Sequence, residues 1–152
     1  MTSNINRVQI RDICFENEAE LREVAYLYAS VPLDWDRTFQ VTDAEQNYIW
    51  FLEKRLSLKC LVATLDNKIV GIHILQKQNQ RPEACFIKTL WVVSHHRGKG
   101  LGSLLKTAGE VWAKETGSTV MITNVMLMNP KMLEINKKKG FVPTKIEMEK
   151  QL

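Results

Sequence analysis

Long apolar runs are missing from this 152-residue sequence. No stretch approaches the roughly 20 consecutive apolar residues that a membrane-spanning helix requires. The N-terminus, Met-Thr-Ser-Asn-Ile-Asn, also lacks the apolar segment of a secretion signal. We therefore expect a cytoplasmic protein that does not associate with membranes and that is ordered except at residues 1–5.

Cysteine is scarce, and the three residues Cys14, Cys60 and Cys85 form no CxxC pair. An odd number without that spacing argues against both a disulfide framework and a zinc site. We interpret all three as reduced thiols in the core, and the six methionines as core filler. His73 is expected on a strand face without a partner, so no metal site is predicted.

Clustered positive charge is also missing, although the formal net charge is +4. The densest basic run, residues 137–139, falls at the end of a predicted helix, where cations complement the helix dipole. Because no motif combines basic and aromatic residues, nucleic-acid binding is not predicted. The composition, 45% hydrophobic and 25% charged, is that of a globular protein, and we expect a single domain over residues 1–152.

Apolar periodicity predicts a mixed α/β domain with the order β-α-α-β-β-β-α-β-α-β. Alternating or continuous apolar residues predict strands at residues 8–15, 60–65, 69–75, 84–93 and 119–123, and a last strand around Ile146 and Met148. The second and third of these strands should form a hairpin across residues 66–68. The first two helices are expected to begin at capping boxes, at Asn17 and Thr42. Asn129, followed by a proline, is expected to begin the last helix.

A glycine-rich turn, Arg97-Gly-Lys-Gly-Leu-Gly102, joins a predicted strand to an amphipathic helix. Its three glycines leave out Cβ atoms where a ligand must approach the backbone closely. Free N–H groups at a helix start favour an anion, and Arg97 and Lys99 add positive charge. This arrangement predicts a diphosphate site. A dinucleotide fingerprint is disfavoured because Ser103 stands where its third glycine would, and the P-loop pattern is absent.

Residues 90–102 resemble the central signature of the GNAT superfamily of N-acetyltransferases, which is Arg or Gln, two residues, Gly, one residue, then Gly or Ala. Three residues match it: Arg97, Gly100 and Gly102. A second family element is matched by Asn129, with Gly140-Phe141 eleven and twelve residues later. The similarity is strong from about residue 69 to residue 141 and weak before that range.

The resemblance implies a central, mixed and mostly antiparallel sheet, flanked by about four helices, whose fourth and fifth strands splay apart in a V. It also implies acetyl-CoA as the cosubstrate, with pantetheine paired to the open strand edge at Leu90, Trp91 and Val92. The implied pyrophosphate contacts are Arg97, Gly98, Lys99, Gly100, Leu101, Gly102 and Ser103. Asn129 matches an asparagine that contacts the cofactor in the family, although an N-cap role explains it equally well.

The sequence offers more than one candidate for the acid and for the base of the reaction. A tyrosine seven residues after the asparagine often protonates the leaving sulfur in the family, and this chain has Asn136 there. An asparagine amide could hydrogen-bond the developing thiolate. Alternatively, the proton could come from solvent or from a tyrosine: Tyr26, Tyr28 or Tyr48. Glu83 is the nearest carboxylate to the strand that often carries the family's base, and a chain of waters is the alternative.

The acceptor is expected to bind the segment between residues 30 and 50. The side chains of Asp34, Trp35, Asp36 and Glu45 could hold a cationic amine there, and solvated loop acids are the alternative interpretation. His95 and His96 are expected to be exposed loop residues.

The leading hypothesis is an enzyme that acetylates a primary amine of a small molecule or peptide. The alternative is an acyl-CoA-binding module of the same fold with weak or lost catalysis. The residues after Phe141 are few for the closing hairpin usual in the family. This favours either a single last strand or completion by a partner subunit, so both a monomer and a homodimer are open.

Overall fold

The computed structural model describes residues 7–152 and contains a five-stranded sheet. The strands are β1 (Val8–Asp12), β2 (Leu58–Leu65), β3 (Lys68–Lys77), β4 (Ala84–Val92) and β5 (Val120–Thr123). They lie side by side in chain order. Neighbouring strands are antiparallel except β4 and β5, which run parallel. The prediction of a mixed, mostly antiparallel sheet is confirmed.

The described residues also form four α-helices, as predicted. They are α1 (Glu18–Ser30), α2 (Ala44–Lys54), α3 (Leu101–Glu115) and α4 (Pro130–Lys138). Short 3-10 turns occupy Val31–Asp34, Arg55–Ser57 and Ser94–His96, the first of them inside the segment expected to bind the acceptor.

Asparagine side chains cap two helices, as the sequence predicts. The Oδ1 of Asn17 accepts the backbone N–H of Glu20 at 3.1 Å, and the Oδ1 of Asn129 accepts that of Met132 at 3.3 Å. The capping box predicted at Thr42 is wrong. The N-cap of α2 is the next residue, Asp43, whose side chain makes no capping hydrogen bond. The Thr42 hydroxyl instead donates to the Asp43 carboxylate at 3.1 Å.

Helices cover both faces of the sheet because its central strands are apolar on both sides. Along β2, Cys60 and Val62 belong to one core cluster, whereas Leu61 and Ala63 belong to another, as period-two alternation requires. The first cluster includes buried residues of α1 and α2, such as Leu21 and Phe51. The second includes buried residues of α3: Leu101, Leu105 and Ala113.

The predicted hairpin between β2 and β3 is confirmed. Leu65 pairs with Lys68, so only two residues form the turn. Both of these, Asp66 and Asn67, have positive φ angles of 51° and 65°. Two left-handed residues are typical of the tight turns that match the twist of a hairpin.

The C-terminal residues differ from the prediction. No strand forms around Ile146 and Met148, and residues 141–152 contain neither helix nor strand. Ile146 is 80% exposed and Met148 is 88% exposed, because no neighbouring strand or helix covers them. The core interpretation is also wrong for Cys14, which is exposed. It is wrong as well for the exposed methionines: Met126, Met128, Met132 and Met148.

None of the helices in residues 7–152 is long and apolar enough to cross a membrane. The disorder expected at residues 1–5 concerns positions outside the described residues. That residues 1–152 form a single domain stays a prediction.

Candidate functional site

β4 changes its pairing halfway along its length. Its first four residues pair with β5, whereas the remaining five, residues 88–92, do not. The register against β3 shifts at the same point: Ile74 is opposite Thr89. The next residue, Leu75, is opposite Ile87, which leaves Lys88 as an extra residue in β4. Such a bulge bends a strand and increases its twist, so β4 turns away from β5 after Ile87. The predicted splay between these strands is confirmed.

The second half of β4, residues 88–92, has a neighbouring strand on one side only. Leu90, Trp91 and Val92 pair with β3. On the side of β5, backbone N–H and C=O groups of residues 88–92 have no strand partner in the part of the chain that the structure describes. An edge of this kind can pair with an extended ligand as with an added strand.

A buried histidine packs beneath this open half of β4. The Nδ1 of His73 donates to the carbonyl of Thr89 at 2.9 Å, and its Nε2 has no partner among residues 7–152. Burial lowers the pKa of His73, so the imidazole is neutral. Gly109 of α3 makes room for the ring, since a Cβ at that position would lie 2.7 Å from Nε2.

Two glycines with left-handed backbone turn the chain from β4 into α3. Gly98 has a φ of 77° and Gly100 a φ of 85°, a region that favours glycine. A Cβ atom added at either glycine would meet nothing within 4 Å, so the space beside the turn is open. Gly100 is the N-cap of α3 and offers no side-chain acceptor. The N–H groups of the first helical turn are therefore free to bind an anion.

Basic side chains surround this turn. Arg97 and Lys99 are exposed, and the rings of His95 and His96 lie 4.4 Å apart. Desolvation lowers the pKa of His96, as do its basic neighbours His95 and Lys99. In residues 7–152 no group of three His, Cys, Asp or Glu side chains could hold a metal ion. The charge of the turn therefore suits an anionic ligand.

Asp34 connects the segment between α1 and α2 to the glycine turn. Its Oδ2 accepts from Nη2 of Arg97 at 2.6 Å and from the indole N–H of Trp91 at 3.1 Å. Arg97 also donates through Nε to the carbonyl of Val92 at 2.7 Å. The segment predicted to bind the acceptor thus lies against the segment predicted to bind the cofactor.

The other predicted acceptor residues are not brought to the same point. The Asp36 carboxylate accepts from the N–H of Thr38 at 3.0 Å and from its hydroxyl at 2.6 Å, and these hydrogen bonds lower the pKa of Asp36. Glu45 pairs with Arg22 at 2.7 Å. Trp35 is 42% exposed. Each acidic side chain predicted for a cationic amine is therefore already paired within the protein.

Comparison with known proteins identifies the family. The model of the acetyltransferase (GNAT) family matches residues 21–141. The chain belongs to the GNAT family. No curated protein matches it.

Solved structures of similar fold cover nearly the whole GNAT chain. A candidate acetyl transferase from Pyrococcus furiosus is 23% identical over 95% of this chain and 99% of its own, with a TM-score of 0.73. An aminoglycoside acetyltransferase from an uncultured soil metagenomic sample, in complex with sisomicin, is 17% identical over 99% of both chains, with a TM-score of 0.73. An acetyltransferase from Trypanosoma brucei is 18% identical over 95% of this chain and 99% of its own, with a TM-score of 0.66. At these identities the likeness supports the fold alone.

Glu83 lies at the other end of β4 from the glycine turn of this GNAT protein. Its carbonyl accepts the N–H of Thr119, just before β5, at 2.9 Å. Leu90 is seven residues further on, or about 23 Å along an extended strand. Hydrogen bonds from its own backbone N–H and from Arg81 lower the pKa of Glu83. A remote carboxylate of lowered pKa is poorly suited to accept a proton from the acceptor amine.

Asn129 and Asn136 lie at the start and near the end of α4. The side chain of Asn129 caps the N-terminus of α4, and the predicted contact of Asn129 with the cofactor stays a prediction. Asn136 is buried, and its backbone carbonyl accepts the N–H groups of Lys139 and Phe141, each at 3.0 Å. Its predicted role at the leaving sulfur also stays a prediction.

Of the three tyrosines, Tyr28 is linked to the open half of β4. Its ring centroid lies 6.2 Å from that of Trp50, and the Nζ of Lys88, the bulged residue, lies 5.9 Å from the Trp50 ring. Burial raises the pKa of Tyr28, which keeps its hydroxyl protonated. Tyr48 instead stacks under the guanidinium of Arg22 at 3.9 Å, and Tyr26 is 50% exposed.

Sequence reasoning misses two features of this GNAT site. One is the bulge at Lys88, for which a charged residue inside an otherwise apolar strand is the available signal. The other is the contact of Asp34 with Arg97. These residues are 63 positions apart, and no local pattern indicates their pairing.

Proposed function

We propose that this GNAT protein transfers an acetyl group from acetyl-CoA to a primary amine of a small molecule or peptide. The observation that carries the proposal is the open half of β4, which ends in a glycine turn and an uncapped helix N-terminus. Free backbone groups at Leu90, Trp91 and Val92 suit the amides of pantetheine, which pair as a strand would.

The pyrophosphate would lie at the turn beyond β4. The free N–H groups at the start of α3 and the open space beside the left-handed glycines fit two phosphate groups. Arg97 and Lys99 supply positive charge. The proposed contacts are Arg97, Gly98, Lys99, Gly100, Leu101, Gly102 and Ser103, with Asn129 as a further one.

Acetyl-CoA would supply an activated acyl group as a thioester, and the amine would attack it directly in a ternary complex. A lysine-like amine has a pKa of about 10.4, so it must lose a proton before it attacks, and the departing sulfur must gain one. We assign the proton donor to Tyr28, because its ring packs beside Trp50, which Lys88 of the open half of β4 contacts. A water chain is the proposed path for the proton of the amine, since Glu83 is remote.

The acceptor would bind beside the segment from Val31 to Asp36, which contacts the glycine turn through Asp34. The carboxylates of Asp34, Asp36 and Glu45 are paired within the protein, so a cationic acceptor must compete with those pairs. The aminoglycoside acetyltransferase of similar fold is complexed with sisomicin. Amine-bearing small molecules therefore belong in the first acceptor panel, together with peptides.

One observation favours the second candidate, an acyl-CoA-binding module with weak or lost catalysis. The position where the family often has its tyrosine carries Asn136, which cannot donate a proton as an acid does. The two candidates share the cofactor site and differ in whether thiol is released when an amine is present.

The cofactor site is tested at Gly102, where a Cβ atom meets only Val92, at an ordinary 3.9 Å. Gly102→Asp places a carboxylate in the first turn of α3, where a negative charge stabilises the helix but opposes a phosphate. Gly102→Ala is the matched control. We expect acetyl-CoA at about 100 times its dissociation constant to stabilise the parent and the alanine variant by roughly 2.7 kcal/mol in thermal denaturation, and the aspartate variant by much less.

An acetyl-CoA shift that persists unchanged in Gly102→Asp would place the cofactor elsewhere. No shift in the parent protein would overturn both candidate functions. Where binding is seen, thiol release over the acceptor panel separates the enzyme from the binding module.

A further inference from the structure

The open half of β4 has one face towards α3 and the other towards α1 and α2. Leu90 and Val92 belong to the core cluster that contains α3, whereas Trp91 packs against the cluster that contains α1 and α2. The bulged residue Lys88 lies on the side of α2 as well, because its ammonium is 5.9 Å from the ring of Trp50. Bulges re-aim side chains, and this one places a cation on the face of α1 and α2.

This face adjoins the segment from Val31 to Asp36, beside which we propose that the acceptor binds. Asp34 of that segment accepts from the indole N–H of Trp91 at 3.1 Å. Lys88 lies two residues before Leu90, or about 7 Å along an extended strand, and Leu90 begins the proposed pantetheine contacts. The stem of a lysine is long and flexible. The Lys88 ammonium can therefore reach the place where the acceptor amine would meet the thioester.

The charge that this side of the molecule offers to a ligand is positive. The three carboxylates predicted to hold a cationic amine are paired within the protein: Asp34 with Arg97, Asp36 with Thr38 and Glu45 with Arg22. Lys88, in contrast, is exposed, and none of the ion pairs among residues 7–152 includes it. A cation without a counterion suits an anionic group of the acceptor.

We propose that the acceptor is an amine with a carboxylate close to its nitrogen, as in an amino acid, and that Lys88 binds this carboxylate. The inference rests on the proposed function and names the acceptor class for the same site. An ammonium and a carboxylate form a charge-assisted hydrogen bond, which is stronger than a neutral one. Trp50 and Trp91 lie on the same face as Lys88, and their rings suit an apolar side chain of the amino acid.

The reaction is that of the proposed function. The ammonium group of the amino acid loses two protons, of which the departing sulfur takes one and water takes the other. Its nitrogen bonds to the acetyl carbon, the carbon–sulfur bond breaks, and CoA leaves as a thiol. Lys88 takes no part in the proton transfer. It determines specificity, so its loss should affect KM more than kcat.

The inference is tested with pairs of acceptors that differ only in the carboxylate. The pairs are phenylalanine with phenethylamine, leucine with isoamylamine, and lysine with cadaverine. Lys88→Gln removes the charge, and Lys88→Arg keeps it. Lys114→Gln, in α3 and thus on the other face of the sheet, is the matched control for the lost charge. Comparing variant with parent on one acceptor cancels the intrinsic reactivity of its amine.

Steady-state thiol release should show that the parent prefers the amino acid of a pair. In Lys88→Gln, kcat/KM for the amino acid should fall roughly 10-fold, chiefly through KM, because a hydrogen bond to a charged group is lost. The value for the amine without a carboxylate should stay within about twofold of the parent. Lys88→Arg and Lys114→Gln should resemble the parent. All three variants should keep the thermal stabilisation by acetyl-CoA, which reports on folding and on the cofactor site.

Three results would each overturn this inference and leave the proposed function standing. The first is thiol release with amines or peptides but with none of the amino acids. The second is a preference for amino acids that Lys88→Gln leaves unchanged. The third is an equal loss in Lys88→Gln for both members of a pair. The absence of thiol release with every acceptor would instead overturn the proposed function, and this inference with it.

Discussion

The two halves of β4 have different neighbours and, we propose, different tasks. Residues Ala84 to Ile87 lie between β3 and β5 and form part of an ordinary sheet. Residues 88–92 follow a bulge, keep only β3, and lead into the glycine turn. One strand thus has two strand neighbours at one end and, at the other, a free backbone edge where we propose that the ligand binds. The comparison predicts that substitutions at the open end change activity, whereas those at the paired end do not.

The largest expected effect is kinetic. Tyr28→Phe should lower kcat by roughly 100-fold, the lower end of what one general acid contributes, with the affinity for acetyl-CoA unchanged. Glu83→Gln, at the paired end, should leave kcat within about twofold of the parent. Steady-state thiol release measures both values, and Tyr48→Phe is the control for loss of a hydroxyl elsewhere. A large loss of kcat in Glu83→Gln, with no loss in Tyr28→Phe, would mean that the paired end of β4 and not its open end serves the reaction.

The next effect is on stability beneath the open half of β4. Gly109→Ala would place a Cβ 2.7 Å from Nε2 of His73 and 3.2 Å from Leu75, both of which are held by the sheet. Overpacking of this kind costs about 1–3 kcal/mol, which outweighs the gain of up to about 1 kcal/mol from alanine in a helix. Chemical denaturation measures the change. Gly102→Ala, in the same helix but without a close contact, should be neutral or slightly stabilising.

A smaller effect concerns pH. Burial lowers the pKa of His73 below its usual 6.5, so the unfolded chain binds a proton more readily than the folded one. Stability from this group is complete above pH 6.5 and declines as the pH falls below that value towards the lowered pKa. His73→Asn keeps a donor near the carbonyl of Thr89 but cannot titrate. Its free energy of unfolding should therefore vary less with pH below 6.5. An unchanged slope would assign the pH dependence to other groups.

The smallest effect should come from Asp34, which shares Arg97 with the proposed pyrophosphate. Asp34→Asn retains an oxygen acceptor for Trp91 and removes a negative charge from beside the glycine turn. Since half-exposed ion pairs contribute up to about 1 kcal/mol, we expect the affinity for acetyl-CoA to rise by at most about fivefold. Isothermal titration at low salt measures the change. Asp36→Asn serves as the control, because its carboxylate is held by Thr38. Weaker binding in Asp34→Asn would mean that Asp34 orients Arg97 for the ligand.

Much of the fold follows from local sequence signals. Apolar runs predict the central strands, Asn17 and Asn129 mark helix starts, and the turn at Asp66-Asn67 predicts a hairpin. The glycine turn predicts an anion site, which stays a prediction, and the structure gives this turn two left-handed glycines and an uncapped helix start. These features depend on neighbours within a few residues, which is why a single sequence reveals them.

The remaining features depend on distant residues. The pairing of Asp34 with Arg97 joins two segments 63 positions apart. The alternation around Ile146 and Met148 predicts a strand, and the structure has none there, because a strand forms only where a neighbouring strand pairs with it. The core position predicted for all six methionines is wrong for the exposed ones, because composition alone does not indicate which apolar side chains the fold covers.

The order of the strands bears on how the chain folds. β2, β3 and β4 are joined by a two-residue turn and a short loop, so their pairing closes only small loops. β1 instead pairs with β2, which lies more than forty residues further along the chain, after α1 and α2. Local pairing is fast and distant pairing is slow. We therefore expect β2, β3 and β4 to form the folding nucleus. β4, which carries the bulge, should then be formed before the helices pack against the sheet.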